Sequence, residues 1–404
     1  MKDINRFWIG TYYNKHIILF NTISKKFISV NTDKIYEEDE LYLGEDIFKS
    51  MPIEIAEEIL NIHSDNGNEI TSDYLINKVF DQNILKITIV LGYKCNLACS
   101  YCYESRQENI DININVDKIT TFIKEYCRLN KINKVAIEFY GGEPIVYFKE
   151  LIDISKNMKE YFKEKYSFTI MTNGTLLTKE KIDIMKNLGL KKIEISIDGN
   201  EVVHNNRRPM INGNNSFKTI VKNIIQLKDE INIVIRINID KENSAYVDEL
   251  LDVLEKYKLK ESIFIYFTNV INCSNNCSED DDSINLLPDM YVKAFERKFN
   301  IPFRIYAIGP CHLHKKNSFG LKPNGDLVKC LAVDSFIGNI NKNFNPIQKR
   351  RDYTEKCKSC ALFPICFGGC KYEYSDENGI CPINMFNKLL PKYLKAKFNI
   401  SKEA

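Results

Sequence analysis

Between residues 86 and 270 the chain alternates short runs of β-branched and aromatic residues with longer amphipathic stretches. "LKITIVLGY", "KVAIEFYGG", "SFTIMTNG", "KKIEISIDG", "INIVIRINI" and "SIFIYFTNV" read as strands. Between them, segments such as "VDKITTFIKEYCRL" and "NSFKTIVKNIIQLKDE" repeat apolar residues at helical spacing. Strands alternating with helices predict a parallel sheet with right-handed crossovers. Runs such as "IVIRINI" have the β-branched richness of buried parallel strands. The six repeats predict an α/β fold, a partial (β/α)6 TIM-like barrel. A doubly wound sheet is the alternative, because periodicity alone does not separate the two.

The flanks read differently. "KHIILFNT" and "KKFISVNT" predict two strands joined by a turn near Ser24–Lys25. "PIEIAEEILNIHS" and "TSDYLINKVF" predict helices, the second with Thr71 or Ser72 as N-cap. Residues 1–85 therefore form a small N-terminal α+β module, and 86–271 the barrel. Residues 272–307, opening on the acidic "NCSNNCSEDDDSINL", form a linker or bridging region. Residues 308–404 lack long helical patterns, are dense in cysteine, and read as a third domain built around metal.

Composition narrows the classes. Of 404 residues, 44% are hydrophobic and 27% charged, the balance of a globular chain with room for two to three domains. A net charge of +2 gives no reason to expect a nucleic-acid or membrane surface. The N-terminus lacks the apolar core of a signal peptide, and no apolar run reaches transmembrane length. The expected location is the cytoplasm. There thiols stay reduced, so thirteen cysteines point to metal rather than to disulfides.

Three of those cysteines, Cys95, Cys99 and Cys102, fall in "LGYKCNLACSYCYES" just after the first barrel strand. Loops at the carboxyl ends of parallel strands carry the chemistry of such folds. Core cysteines clustered by chance are one reading. A structural zinc site is another, but it takes four protein ligands and no fourth lies nearby. A 4Fe–4S cluster normally takes four thiolates, so three leave one iron open. The spacing C-x3-C-x2-C, with Tyr101 before the last cysteine, resembles the radical S-adenosylmethionine (SAM) superfamily. That resemblance implies that the open iron chelates SAM and that a 5′-deoxyadenosyl radical abstracts hydrogen from unactivated C–H bonds.

Later strand ends extend the likeness. Gly141, Gly142 and Glu143 in "EFYGGEP" resemble the motif that holds the SAM amino group. Asn173 and Gly174 end the third strand. Ser196, Asp198, His204 and Arg208 in "SIDGNEVVHNNRR" resemble a stretch whose serine and arginine bind the SAM carboxylate and ribose. Asn205 stands where aspartate is usual, so a hydrogen bond replaces a salt bridge. "RIN" at Arg236–Asn238 closes the fifth strand. Taken singly, His204 and Asn238 read as structural residues.

The C-terminal cysteines run Cys311, Cys330, Cys357, Cys360, Cys366, Cys370 and Cys381, with Gly325 inside "KPNGDLVKC" as a hairpin turn. Cys357, Cys360, Cys366 and Cys370 alone would suit a zinc ribbon. All seven resemble the SPASM domain, the twin-cluster extension of peptide-modifying radical SAM enzymes. The resemblance implies three 4Fe–4S clusters. Cys357, Cys360, Cys366 and Cys381 would hold the distal auxiliary one, and Cys311, Cys330 and Cys370 the nearer. The nearer cluster's fourth ligand is left open: a vacancy, the substrate's own sulfur, Cys273, Cys277, His312 or His314. Cys127 reads as a core residue.

The expected function is a radical SAM maturase of a ribosomally made precursor peptide, of the sactipeptide or ranthipeptide type, forming a thioether or carbon–carbon cross-link. The partners are that peptide and a reductant such as flavodoxin or ferredoxin. The N-terminal module would add a leader peptide as a strand. Asp334 and Glu138 are base candidates by position alone. The alternatives are formylglycine formation of the anaerobic sulfatase-maturase kind, epimerisation, and a non-catalytic iron–sulfur or zinc protein. Leu331 follows Cys330 where sulfatase maturases usually have aspartate, which counts against the first.

Overall fold

A computed structural model describes residues 7–22, 26–32, 40–50, 56, 72–81, 83–102, 104, 115–270, 283–301, 315–332, 335–342, 352–369, 381 and 383–403. Strands β1 (Trp8–Tyr13), β2 (His16–Asn21), β3 (Phe27–Asn31) and β4 (Tyr42–Leu43) form an antiparallel sheet in the order β3-β2-β1-β4. The β1–β2 turn is Asn14–Lys15, with φ of 48° and 59°, the positive values a two-residue hairpin requires. The sequence reading predicted β2 and β3 but not β1. Nearly every β1 residue is buried, so it lacks the alternation that marks a strand. Ile9 joins the main core, while Trp8 and Tyr12 pack with Ile47 and Phe48 in a second one. Of the predicted helices, "TSDYLINKVF" is Ser72–Phe80. The other lies outside the described residues except for Ala56.

The six predicted barrel strands all form: β5 (Leu85–Val90), β6 (Val135–Tyr140), β7 (Tyr166–Thr172), β8 (Leu190–Ser196), β9 (Asn232–Ile239) and β10 (Ile263–Asn269). Each pairs in parallel with its neighbour in sequence. A doubly wound sheet reverses its strand order at a switch point. No reversal occurs here, so the strands form the arc of a partial barrel. Ile87, Phe139, Ile170, Ile193, Ile235 and Ile265 point to the outer face and are almost wholly buried. The inner positions of β6, β7 and β8 are only half-buried. The strands are thus less uniformly buried than those of a closed parallel sheet, because the concave face of an open arc has no second layer over it.

Beyond the arc, β11 (Ser318–Leu321) pairs in parallel with β5 and continues antiparallel into β12 (Asp326–Val328) and β13 (Phe336–Asn339). The β11–β12 turn holds Gly325 at φ 88°, at the predicted hairpin position. Two helices correct the sequence reading. Ser283–Glu296 lies in the expected linker, and the 21-residue helix Ile383–Glu403 lies where no long helix was expected. Each contains an internal proline, Pro288 and Pro391, a residue that ordinarily marks a helix end. The two pack together through Phe295 and Tyr393, with ring centroids 5.1 Å apart. The last helix also covers the N-terminal sheet, Phe398 sitting 4.6 Å from His16 and 6.3 Å from Tyr13. One hydrophobic core therefore runs through the N-terminal sheet, the barrel and this helix. Among the described residues no helix is long and apolar enough to cross a membrane.

Candidate functional site

The three-cysteine loop is built on glycine. Gly142 N donates to Gly92 O at 2.9 Å, and Glu143 N to Lys94 O at 3.0 Å, so the ends of β5 and β6 lie backbone against backbone. A Cβ on Gly141 would lie 2.4 Å from Gly92 O, and one on Gly142 2.4 Å from Tyr93 O and 2.6 Å from Lys94 O. Gly141 also has a φ of 130°. The glycine pair, predicted to let backbone approach a ligand, here lets it approach the segment that delivers Cys95. On its other side the loop is pinned to residues 207–211: Ala98 N donates to Pro209 O, Ser100 N to Arg207 O and Ile211 N to Asn96 O, at 2.9–3.0 Å.

Cys95, Cys99 and Cys102 open on one cavity at the carboxyl ends of the strands. Its wall includes Tyr101, Gly141, Gly142, Asn173, Ser196, Arg208, Arg236 and Asn238, gathered from the ends of β5 to β9. Burial, reinforced by Glu143 and Cys99, pushes the Cys95 thiol up to about 11, against bonds from Leu97 N–H and the Asn173 amide. Burial also raises Cys99, with Arg208 opposing. A metal binding here must therefore displace thiol protons. Among the described residues no three His, Cys, Asp or Glu side chains are placed to hold a single ion.

A buried network behind the loop fixes Arg208. The Tyr101 hydroxyl donates to Asp198 Oδ2, accepts from Arg208 Nη1, and accepts from Asn238 Nδ2 at 3.1 Å. Asp198 Oδ1 accepts from Asn238 N and Nδ2, both at 3.0 Å. Burial opposes the charge on Asp198, yet Arg208 and these bonds hold its carboxyl below the usual range. His204 Nδ1 accepts from Asp198 N at 3.2 Å, leaving Nε2–H for Ser216 Oγ at 3.1 Å, and Ser216 in turn donates to Arg208 O at 2.7 Å. Burial, with Arg208 beside it, pushes His204 down to about 3, so it is a neutral brace and not a ligand. Asn205 accepts from Phe217 N at 3.1 Å, the hydrogen bond expected at that position.

Glu143 differs from expectation. It is fully buried and does not line the cavity. Its oxygens accept from Ile145 N at 2.9 Å, Thr172 Oγ1 at 2.7 Å and Asn173 N at 2.7 Å. These bonds cap the turn after β6 and hold the end of β7, where Asn173 Nδ2 reaches Cys95 Sγ at 3.7 Å. Its side chain therefore has little left for an ammonium group. Glu138, on the inner face of β6, accepts from Thr88 Oγ1 at 3.2 Å and is not on the cavity wall. Asp334 lies outside the described residues.

Two wall groups, Glu104 and Asn269, escaped the sequence reading. Glu104, 6% exposed, makes no hydrogen bond among the described residues, and burial pushes it up to about 8. Arg208 Nε and Asn269 Oδ1 are buried and unpartnered among the described residues. Buried polar atoms without partners are costly, and here they face a cavity that can hold a polar ligand. The only sequence signal was their place, Glu104 two residues beyond Cys102 and Asn269 at the end of the last strand.

In the C-terminal region, Cys360 is raised by burial and feels Cys381 and Cys357, while Cys366, raised to about 12 by burial, feels Cys381 and Cys360. Cys360 thus stands within electrostatic reach of the other three, Cys357, Cys366 and Cys381. Cys330 is half-buried after β12, and Cys127 is buried in the core as expected. Cys273, Cys277, Cys311, His312, His314 and Cys370 lie outside the described residues.

Residues 89–254 match the Radical SAM superfamily. A cysteine-type anaerobic sulfatase-maturating enzyme of Clostridium novyi (strain NT) is 24% identical over 329 residues, 69% of this chain and 85% of that one. Among solved structures, anSMEcpe with bound AdoMet superimposes with a TM-score of 0.60 at 17% identity, covering 80% of this chain and 96% of that one. Streptococcus suis SuiB bound to precursor peptide SuiA gives 0.51 at 17% identity, covering 92% and 95%. These structures share the fold.

Proposed function

We propose that this chain, whose residues 89–254 match the Radical SAM superfamily, is a radical SAM enzyme that matures a ribosomally made precursor peptide, closing a thioether or carbon–carbon cross-link. The superfamily implies a 4Fe–4S cluster and SAM. When bound, they supply hydrogen-atom abstraction from unactivated C–H bonds, chemistry no side chain offers. Cys95, Cys99 and Cys102 are the proposed cluster ligands. Tyr101, Asn173, Ser196 and Arg208 are the proposed SAM contacts, with the backbone of Gly141 and Gly142. The unpartnered Nε of Arg208 suits a carboxylate. Glu143 is assigned a bracing role instead, because three protein donors already occupy it.

The observation that carries this reading is the single cavity onto which three thiols and the polar residues of successive strand ends converge. The peptide substrate draws support from a neighbour bound to its precursor peptide, which matches nearly the whole chain. Strand β3 is an edge of the N-terminal sheet, the place where a leader peptide can add as a further strand. Cys357, Cys360, Cys366 and Cys381 are proposed to hold a distal auxiliary cluster, and Cys311, Cys330 and Cys370 a nearer one whose fourth ligand is open. A cytoplasmic flavodoxin or ferredoxin would supply electrons. The test is anaerobic: the reconstituted chain with SAM and dithionite makes 5′-deoxyadenosine and carries about 12 irons, four for each cubane. No 5′-deoxyadenosine sinks the reading, and about four irons with zinc sinks the auxiliary clusters.

A further inference from the structure

The N-terminal module touches the C-terminal cysteine segment through hydrogen bonds as well as apolar packing. Thr22, just after β2, has its Oγ1 2.8 Å from Ala361 O across 339 residues of sequence and 3.0 Å from Phe7 O, so its one hydroxyl proton is shared between two buried carbonyls. Ser72, the first residue of helix Ser72–Phe80, donates to Lys358 O and is 3% exposed. The carbonyls of Lys358 and Ala361 bracket Cys360, one two residues before it and one immediately after. Beside them, Ile76 of the same helix is buried with Phe363 and Phe367, and Cys357 and Cys360 pack against that group. Asp73 and Lys358 add an ion pair at 3.4 Å. It is solvent-exposed and contributes little.

The segment held this way has little regular structure of its own. Residues 355–358 and 363–366 form single helical turns joined by a loop that carries Cys360. Turns this short do not persist alone. Something outside the segment must hold the backbone on either side of Cys360, and the two hydroxyls are placed to do so.

We infer that the N-terminal module is a clamp on the C-terminal cysteine loop, with Thr22 and Ser72 as positioning residues that hold Cys357, Cys360 and Cys366 in the arrangement a cluster takes up. The inference rests on the proposed cluster role of these cysteines for its importance, but not for its test. A peptide added to the module's sheet would then bear on the auxiliary site as well as on the barrel, without touching either.

The test uses the full chain, reduced and free of metal, with Thr22→Val and Ser72→Ala combined. Iodoacetamide labelling is followed cysteine by cysteine by mass spectrometry. Each of these hydrogen bonds, one buried and one part-buried, holds local opening down about five-fold, so losing both raises the labelling rate of Cys360 and Cys366 roughly 10- to 30-fold. Cys381, already exposed, and Cys127, buried in the barrel layer, keep their wild-type rates. The hydroxyl-conserving pair Thr22→Ser and Ser72→Thr restores protection. After reconstitution, the reduction potential of the distal cluster shifts in the first variant and not in the second. Cys360 and Cys366 labelling within two-fold of wild type overturns the clamp. So does an equal rise at Cys127, which means general unfolding. Normal labelling shifts in a chain that binds only about four irons keep the clamp and remove the auxiliary-cluster reading.

Discussion

Replacing Tyr101 by phenylalanine tests whether Arg208 is held from behind the cysteine loop. The Tyr101 hydroxyl is shared by Asp198, Arg208 and Asn238. Among the described residues, removing it leaves Arg208 a 3.6 Å pairing to Asp198 Oδ2 and the face of the ring 5.9 Å away, its Nε being unpartnered already. Asp198 keeps its two bonds from Asn238. Two of the three lost bonds involve charged partners, worth about 1.5–3 kcal/mol each, and relaxation recovers part of that. The expected cost is about 3 kcal/mol in anaerobic urea unfolding of the metal-free chain. Arg208 is also freed to turn, so SAM binding by the reconstituted enzyme weakens about ten-fold, with iron content unchanged. A stability change under 1 kcal/mol together with normal SAM affinity refutes the proposed coupling of loop, network and guanidinium.

Other consequences follow from the same geometry. Gly142→Ala sets a Cβ against two carbonyl oxygens, displaces the entry to Cys95 and costs about 3 kcal/mol; reconstitution should yield less than half the wild-type iron. His204 is neutral in the fold and held near 3 by burial, with Arg208 and Arg207 opposing its charge and Asp198 favouring it. The unfolded chain binds the extra proton first, so its contribution is complete above about pH 6.5 and is lost as pH falls toward 3, by up to about 5 kcal/mol; His204→Gln should flatten that part of the stability–pH curve. Glu104→Gln removes a carboxyl that burial raises to about 8 and that costs the fold up to about 5 kcal/mol once ionised at about pH 9. Burying an amide instead returns about 1–3 kcal/mol of that, so the metal-free chain gains about 2–4 kcal/mol at about pH 9, while peptide modification slows because the cavity loses a wall group able to give up a proton near neutral pH. Unchanged modification would remove Glu104 from the site.

How much of this could be read in advance differs from element to element. The six barrel strands and the cysteine loop were legible because β-branched runs and thiol spacing are local signals. Strand β1 was not, because a strand buried on both faces shows no alternation, and its partners come from residues 47–48 and 398. The last helix was hidden by Pro391, although Phe386, Leu389, Leu390 and Leu394 keep helical spacing around it. At the site, types and positions were legible but directions were not. Glu143 was read as a ligand group, yet the fold turns it inward onto Thr172 and Asn173. Glu104 and Asn269 stood out only once a cavity showed them without partners.

The central claim is that this chain cross-links a peptide by radical SAM chemistry, and the most direct measurement is the mass of a candidate precursor peptide, taken from any short reading frame beside the gene, after anaerobic co-expression. The account predicts the loss of two hydrogens per cross-link, with tandem fragmentation halting between the joined residues. An unchanged mass, or the loss of sulfur and two hydrogens with gain of one oxygen that turns a cysteine into formylglycine, would contradict it.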